Sequence, residues 1–110
     1  MSEKENKTAT AFFDVRPAAD VEEMENGVNI TFEVPGVSAE GIELCVKEHI
    51  LELVASGMLK RNGMTVRYKR AFELSDAVDV ENISARTKDG LLTLFLPKSA
   101  KARVHRIQVN

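Results

Sequence analysis

Residues 85–98, A-R-T-K-D-G-L-L-T-L-F-L-P-K, constrain this chain more than any other stretch, because they close a hairpin and then carry apolar side chains on both faces of one strand. Asp89-Gly90 is a two-residue hairpin signal, since glycine accepts positive φ without steric cost and a type I′ turn matches the twist of the strands it joins. In the period-2 alternation that follows, Leu92, Leu94 and Leu96 share one face, and Leu91, Thr93 and Phe95 share the other. Pro97 removes a backbone donor and ends the ladder. Such a strand is either sandwiched inside the protein or covered on one side by something else.

The rest of the chain repeats the pattern of short strands and tight turns. Asn26-Gly27 separates a segment at 20–25 from residues 28–34, where Val28, Ile30, Phe32 and Val34 oppose Asn29, Thr31 and Glu33. Pro35-Gly36 ends that strand. Ile42, Leu44 and Val46 then alternate with Glu43, Cys45 and Lys47, and Glu48-His49 connects to an apolar strand at 50–55. Residues 57–63 read as a loop ending in Asn62-Gly63. The strand at 65–74 places Val66, Tyr68, Phe72 and Leu74 on one face together with Arg70, a charge that needs either a partner or room to snorkel past the rim. Residues 75–81 form a polar connection with one short helical turn. Seven or eight strands without a helical period predict an all-β fold, an antiparallel immunoglobulin-like β-sandwich. With no Trp and no cysteine pair, a true immunoglobulin domain is disfavoured.

At 110 residues the chain is sized for one domain with a single core. We divide it into a short flexible arm at 1–16, the sandwich at 17–98 and a C-terminal tail at 99–110. A net charge of −2 leaves no basic footprint for nucleic acid, and no apolar run reaches membrane-spanning length, so neither nucleic acid nor membrane is an expected partner. The polar opening M-S-E-K-E-N-K lacks a secretory core, which points to the cytoplasm. Cys45 is the sole cysteine and reads as a small packing residue.

No catalytic motif appears. His49 and His105 lie far apart with no ligand spacing around them, and the chain lacks a nucleophile elbow, a P-loop and a dinucleotide glycine pattern. No enzyme activity, metal or cofactor is therefore expected. Surface chemistry remains. In the tail, Ile107 and Val109 project to one side of an extended segment, and two β-branched anchors can fill successive pockets of a groove at ~1.5–3 kcal/mol each when fully buried; the plainer alternative is a terminal strand of the same sandwich. Phe12 and Phe13 beside the arm can enter a core, a partner or a client.

In sequence order these features resemble the α-crystallin domain of small heat-shock proteins, the Hsp20 family, over residues 17–109. The resemblance is carried by P-A-A-D-V-E-E-M-E-N-G-V at 17–28, F-E-V-P-G-V at 32–37, I-L-E-L at 50–53, R-A-F-E-L-S at 70–75, the A-x-x-x-x-G-x-L-x-L-x-L-P pattern at 85–97 and the trailing I-x-V. It implies an ATP-independent holdase that binds unfolded or partly folded client proteins. It further implies a tail motif docked between the strand of Ile42, Leu44 and Val46 and the strand of Leu92, Leu94 and Leu96. Arg70 falls at the family's arginine near the dimer interface. Two departures matter: the segment between Ser56 and Val66 is too short for the strand exchange of many bacterial relatives, and the arm is short. We expect instead a homodimer, or a small oligomer, formed by antiparallel pairing of the 65–74 edge and involving Tyr68, Arg70 and Phe72. The alternative is a module like the p23/CS co-chaperone domains, which docks one folded partner.

Overall fold

A computed structural model describes residues 11–100 and 107–110. Eight strands form two four-stranded sheets. One sheet contains β1 (Phe12–Val15), β4 (Ile42–Lys47), β5 (Ile50–Arg61) and β6 (Met64–Glu73) in the order β1-β6-β5-β4; the other contains β2 (Ala19–Met24), β3 (Gly27–Glu33), β7 (Ser84–Lys88) and β8 (Leu91–Pro97) in the order β2-β3-β8-β7. This is the expected all-β sandwich. One pairing departs from the antiparallel expectation: β1 runs parallel to β6, from Phe12 opposite Thr65 to Val15 opposite Tyr68.

Three two-residue turns organise the hairpins. Glu48-His49, Asn62-Gly63 and Asp89-Gly90 each place both residues at positive φ, as a type I′ turn requires. The Asn26-Gly27 signal works differently. Met24 pairs with Gly27, so the turn residues are Glu25 and Asn26, neither with positive φ. Gly27 is required inside β3, because a methyl group there would strike the Phe95 ring lying across it.

The core is the inner face of both sheets. Ile30, Phe32, Leu51, Leu53, Ala55, Val66 and Tyr68 are buried there with Leu92, Leu94 and Leu96. The three leucines that the resemblance places beside a docked tail point into the core, while Leu91 is 44% exposed and Phe95 packs on the outer face. The cause is register. β8 pairs with β3 so that Phe32 lies beside Leu92, Ile30 beside Leu94 and Val28 beside Leu96, and β3 has only one apolar face to bury.

Residues 57–63 are also not a loop. β5 continues to Arg61, with a register shift against β6 between Ser56 and Lys60. Gly57, which reads as a breaker, serves close approach: a methyl group there would run into the Gly36 carbonyl, and the neighbouring Met58 N–H donates to that same oxygen at 3.1 Å. Likewise Asp79 caps the single 3₁₀ turn Val80–Asn82, accepting from the Glu81 N–H at 3.2 Å.

The arm expected to reach residue 16 gives up Phe12–Val15 to the sheet. Asp14 accepts two hydrogen bonds from Arg67, at 2.7 and 3.1 Å, and the Arg67 guanidinium lies 4.2 Å above the Phe12 ring while Arg61 lies 4.7 Å above Phe13. Both phenylalanines thus fasten β1 to the body of the sandwich. The Arg67 guanidinium, with Lys69 nearby, holds the Asp14 carboxyl below its ordinary value of 3.8. A carboxylate depressed in the folded state contributes stability that is fully present above its unfolded value and is lost as pH falls through the folded one. β1 should therefore loosen first on acidification. After correction for intrinsic rates, the Phe13 and Val15 amides are expected to lose exchange protection as the pH falls below the ordinary carboxylate value of 3.8, ahead of those in β3; equal behaviour of the two strands would contradict this.

Candidate functional site: a groove between the sheets

The two sheets do not close against each other along β4 and β7, which are the outer strands on that flank. Between them runs an apolar groove. One hollow of about 380 Å³ is lined by Leu44, Val46, Leu51, Val80, Ile83 and Leu94. A second of about 150 Å³ is lined by Ile42, Leu44, Ala85, Thr87 and Leu92, with Ala39 and Arg86 at its rim. Ala85 borders both.

The walls follow from strand parity. β4 alternates, so Ile42, Leu44 and Val46 face inward, but as members of an edge strand they stay half-buried. Leu92 and Leu94 form the floor while remaining part of the core; Leu96 is buried at 3% exposure and lines neither hollow. Five of the six residues expected at the groove therefore line it. Sequence reasoning missed the opposite wall, made by Val80, Ile83 and Ala85. Val80 falls in the 75–81 stretch whose acidic residues read as a polar connection, and Ile83 and Ala85 lie just beyond it with no alternation to mark them as a wall.

β4 also offers main-chain chemistry. Lys47 and Ile50 flank the two-residue turn and bond each other, so the N–H and C=O groups of Leu44 and Val46 point away from β5, toward solvent. A segment laid along this edge meets backbone partners and apolar pockets together, the arrangement that suits an extended peptide of tolerant sequence. Ile107 and Val109 are 86% and 87% exposed and lie in no strand. The residues that connect them to the sandwich, 101–106, lie outside the described residues.

The expected dimer residues separate. Tyr68 is buried at 6% exposure, its hydroxyl donating to the Pro35 carbonyl at 3.3 Å, and burial pushes its phenol pKa up. It is a core residue. Arg70 and Phe72 keep some surface: Arg70 donates from Nη1 to the Pro17 carbonyl at 2.8 Å, its guanidinium lies 4.9 Å over the Phe72 ring, and its buried Nε has no acceptor. The awkward charge thus ties the link between the two sheets. Cys45 lies exposed on β4, and His49 lies 3.5 Å from Asp76 at the surface. Among the described residues no group of His, Cys, Asp and Glu is placed to hold a metal, and no helix is long and apolar enough to cross a membrane.

Fold and groove together define a two-sheet sandwich with an open, peptide-sized apolar flank. The model of the Hsp20/alpha crystallin family matches residues 20–110, and the chain belongs to that family. It is 27% identical over 106 residues to small heat shock protein C4 of Rickettsia felis, covering 86% of this chain and 64% of the relative. To the 18 kDa antigen 2 of Mycobacterium avium it is 32% identical over 89 residues, covering 74% of this chain and 64% of that protein. The chain thus spans just under two thirds of the length of these curated relatives. Among solved structures, a small heat-shock protein from Xylella fastidiosa superposes with a TM-score of 0.67 at 26% identity, over 86% of this chain and 95% of the other. Heat shock protein 16.0 from Schizosaccharomyces pombe shares the fold with a TM-score of 0.66 at 21% identity, over 87% and 98% of the two chains.

Proposed function

We propose that this protein is an ATP-independent holdase of the cytoplasm, which binds partly unfolded proteins along the groove between β4 and the β7–β8 hairpin and assembles from copies of itself. The observation that carries the reading is the pairing of half-buried Ile42, Leu44 and Val46 with the free backbone groups of the same edge strand. Unfolded chains offer both apolar side chains and unpaired backbone, and a binder that holds them lowers the free, aggregating pool by mass action without nucleotide. Each contact is weak, because burying a few side chains barely exceeds the cost of ordering an extended segment. Capture then depends on many grooves acting together, which is what assembly supplies. The Ile107 and Val109 anchors give each subunit a segment of the same chemistry, and its seat is the groove of a neighbouring subunit.

Light scattering of a heat-aggregating client tests the reading. Suppression without nucleotide, rising with chaperone-to-client ratio and reaching most of the signal at a several-fold molar excess, is the expected result. Unaltered aggregation at that excess contradicts it and leaves the docking of a single folded partner as the better account.

A further inference from the structure

β4 ends its sheet on the flank opposite β1, and among the described residues no strand lies along its outer side. The free N–H and C=O groups on that side belong to Leu44 and Val46, because Glu43, Cys45 and Lys47 direct theirs to Val54, Glu52 and Ile50 of β5. The side chains sort in the same two sets. Leu44 and Val46 are half-buried toward the groove, whereas Glu43, Cys45 and Lys47 are exposed on the outer face of the sheet. Open edges are ordinarily guarded by charge against pairing with other chains. Here the two guarding charges have opposite signs and stand symmetrically about Cys45.

That symmetry selects one register for a second copy laid antiparallel along β4. Even-numbered residues must face even-numbered ones, since only these have backbone groups to share and a one-residue slip would turn the apolar row outward. Centring on Glu43 opposes two glutamates, and centring on Lys47 opposes two lysines. Centring on Leu44 sets Lys47 opposite Gly41 of the second copy, and centring on Val46 sets Leu44 opposite Glu48 in the positive-φ turn. Centring on Cys45 places Glu43 opposite Lys47 of the second copy twice over, hydrogen-bonds Leu44 to Val46 on both sides of the axis, and brings the two thiols together on the two-fold. At such a non-hydrogen-bonded position the facing Cα atoms stand ~4.5 Å apart, within the span of a disulfide.

We propose that residues 43–47 pair antiparallel with the same residues of a second copy, about Cys45, and that this pairing caps the groove until a client displaces it. The proposal rests on the reading of the groove as the client site and adds a competitor for that site. Competition follows from the backbone: the groups of Leu44 and Val46 that would hold an extended client are the same groups that hold the second copy. So short an interface buries little surface and stays exchangeable, as a resting cap must.

Disulfide trapping in the full-length protein tests the register without a client. Diamide joins two Cys45 thiols by one S–S bond, while its azo group takes up the two protons and two electrons and becomes a hydrazine. Non-reducing electrophoresis follows the linked dimer over time, normalised to alkylation by iodoacetamide, which reads thiol reactivity alone. Asp20→Cys in a Cys45→Ser background, exposed on the other sheet, reports random collision. Cys45 is expected to link on the order of tenfold faster than this control, or more, because pairing holds its thiols together. Glu43→Lys and Lys47→Glu each turn two favourable cross-strand pairs into two repulsive ones and are expected to slow linking about tenfold, and the double exchange to regain most of the loss. These positions are exposed, and far-UV circular dichroism verifies that each variant is folded. The linked dimer is expected to lose most of its suppression of client aggregation and to recover it on reduction with dithiothreitol. Linking at the collision rate, as a groove filled by its own tail would give, single exchanges without effect, a double exchange that fails to recover, or a linked dimer as active as the reduced protein would overturn the proposal. Aggregation measured with the reduced protein tests the client reading separately, so either can fail while the other stands.

Discussion

Phe32→Ala is expected to lower the free energy of unfolding by about 4 kcal/mol. The side chain is fully buried near the C-terminal end of β3, between Ala19 on β2 and Leu92 on β8, and its ring centroid lies 5.7 Å from that of Phe72 across the sandwich at a tilt of 53°. Truncation removes the transfer free energy of the ring, the tilted aromatic contact and the packing of everything that faces it. The loss is a large share of the 5–15 kcal/mol typical of a whole domain, and for a chain of this size it corresponds to a fall in Tm of about 15 °C or more. Urea unfolding monitored by circular dichroism measures it. Phe95→Ala is the internal control: that ring covers Gly27 on the outer face and is partly exposed, so it should cost clearly less. Equal losses for the two variants would mean that the inner and outer faces have been exchanged.

Ile107→Ala combined with Val109→Ala is expected to remove assembly beyond the smallest unit while leaving domain stability unchanged. Five carbons leave the tail, at ~0.8 kcal/mol each when fully buried, so a docked tail would bind its groove up to about a thousandfold more weakly. Neither residue contributes to the fold, since both are almost fully exposed. Light scattering with size exclusion across a dilution series reads the change in mass, and thermal unfolding reads the stability. An unchanged mass would show that the tail is not an assembly contact.

How much of this could be read from the sequence follows from which signals are local. Turn chemistry is local, so Glu48-His49, Asn62-Gly63 and Asp89-Gly90 are legible, and the one-sided alternation of 28–34 gives β3 with its inner face correctly assigned. β8 has two apolar faces, and nothing within it says which one turns inward. That choice is made by its register against β3, which is non-local. Gly27 and Gly57 mislead for one shared reason. Both sit where another group presses against the backbone, and sequence reading assigns their missing Cβ to a turn. The parallel β1–β6 pair is a contact between residues more than fifty positions apart, stabilised by Asp14, Phe12 and Phe13 acting on Arg67 and Arg61, which alternation does not report.

The groove is a mixed case. The wall of Ile42, Leu44 and Val46 is legible as an alternating edge. The floor was named with the right strand for the wrong reason, because Leu92 and Leu94 belong to the core and show only their margins to the groove. The far wall arises where the 3₁₀ turn capped by Asp79 carries Val80 and Ile83 over the sheet edge, and no periodic signal marks it.

Photo-cross-linking from Cys45 tests the central claim most directly. This cysteine is the only one in the chain, is exposed on β4 and borders the groove, so a photoreactive maleimide attached there samples what lies along that edge. A matched probe on the opposite flank, at Asp20→Cys in a Cys45→Ser background, supplies the comparison. With a heat-unfolded client present, the account predicts strong client capture from Cys45, growing in step with the suppression of aggregation, and little from position 20. Suppression of aggregation accompanied by equal capture from both probes, or by none from Cys45, would contradict it.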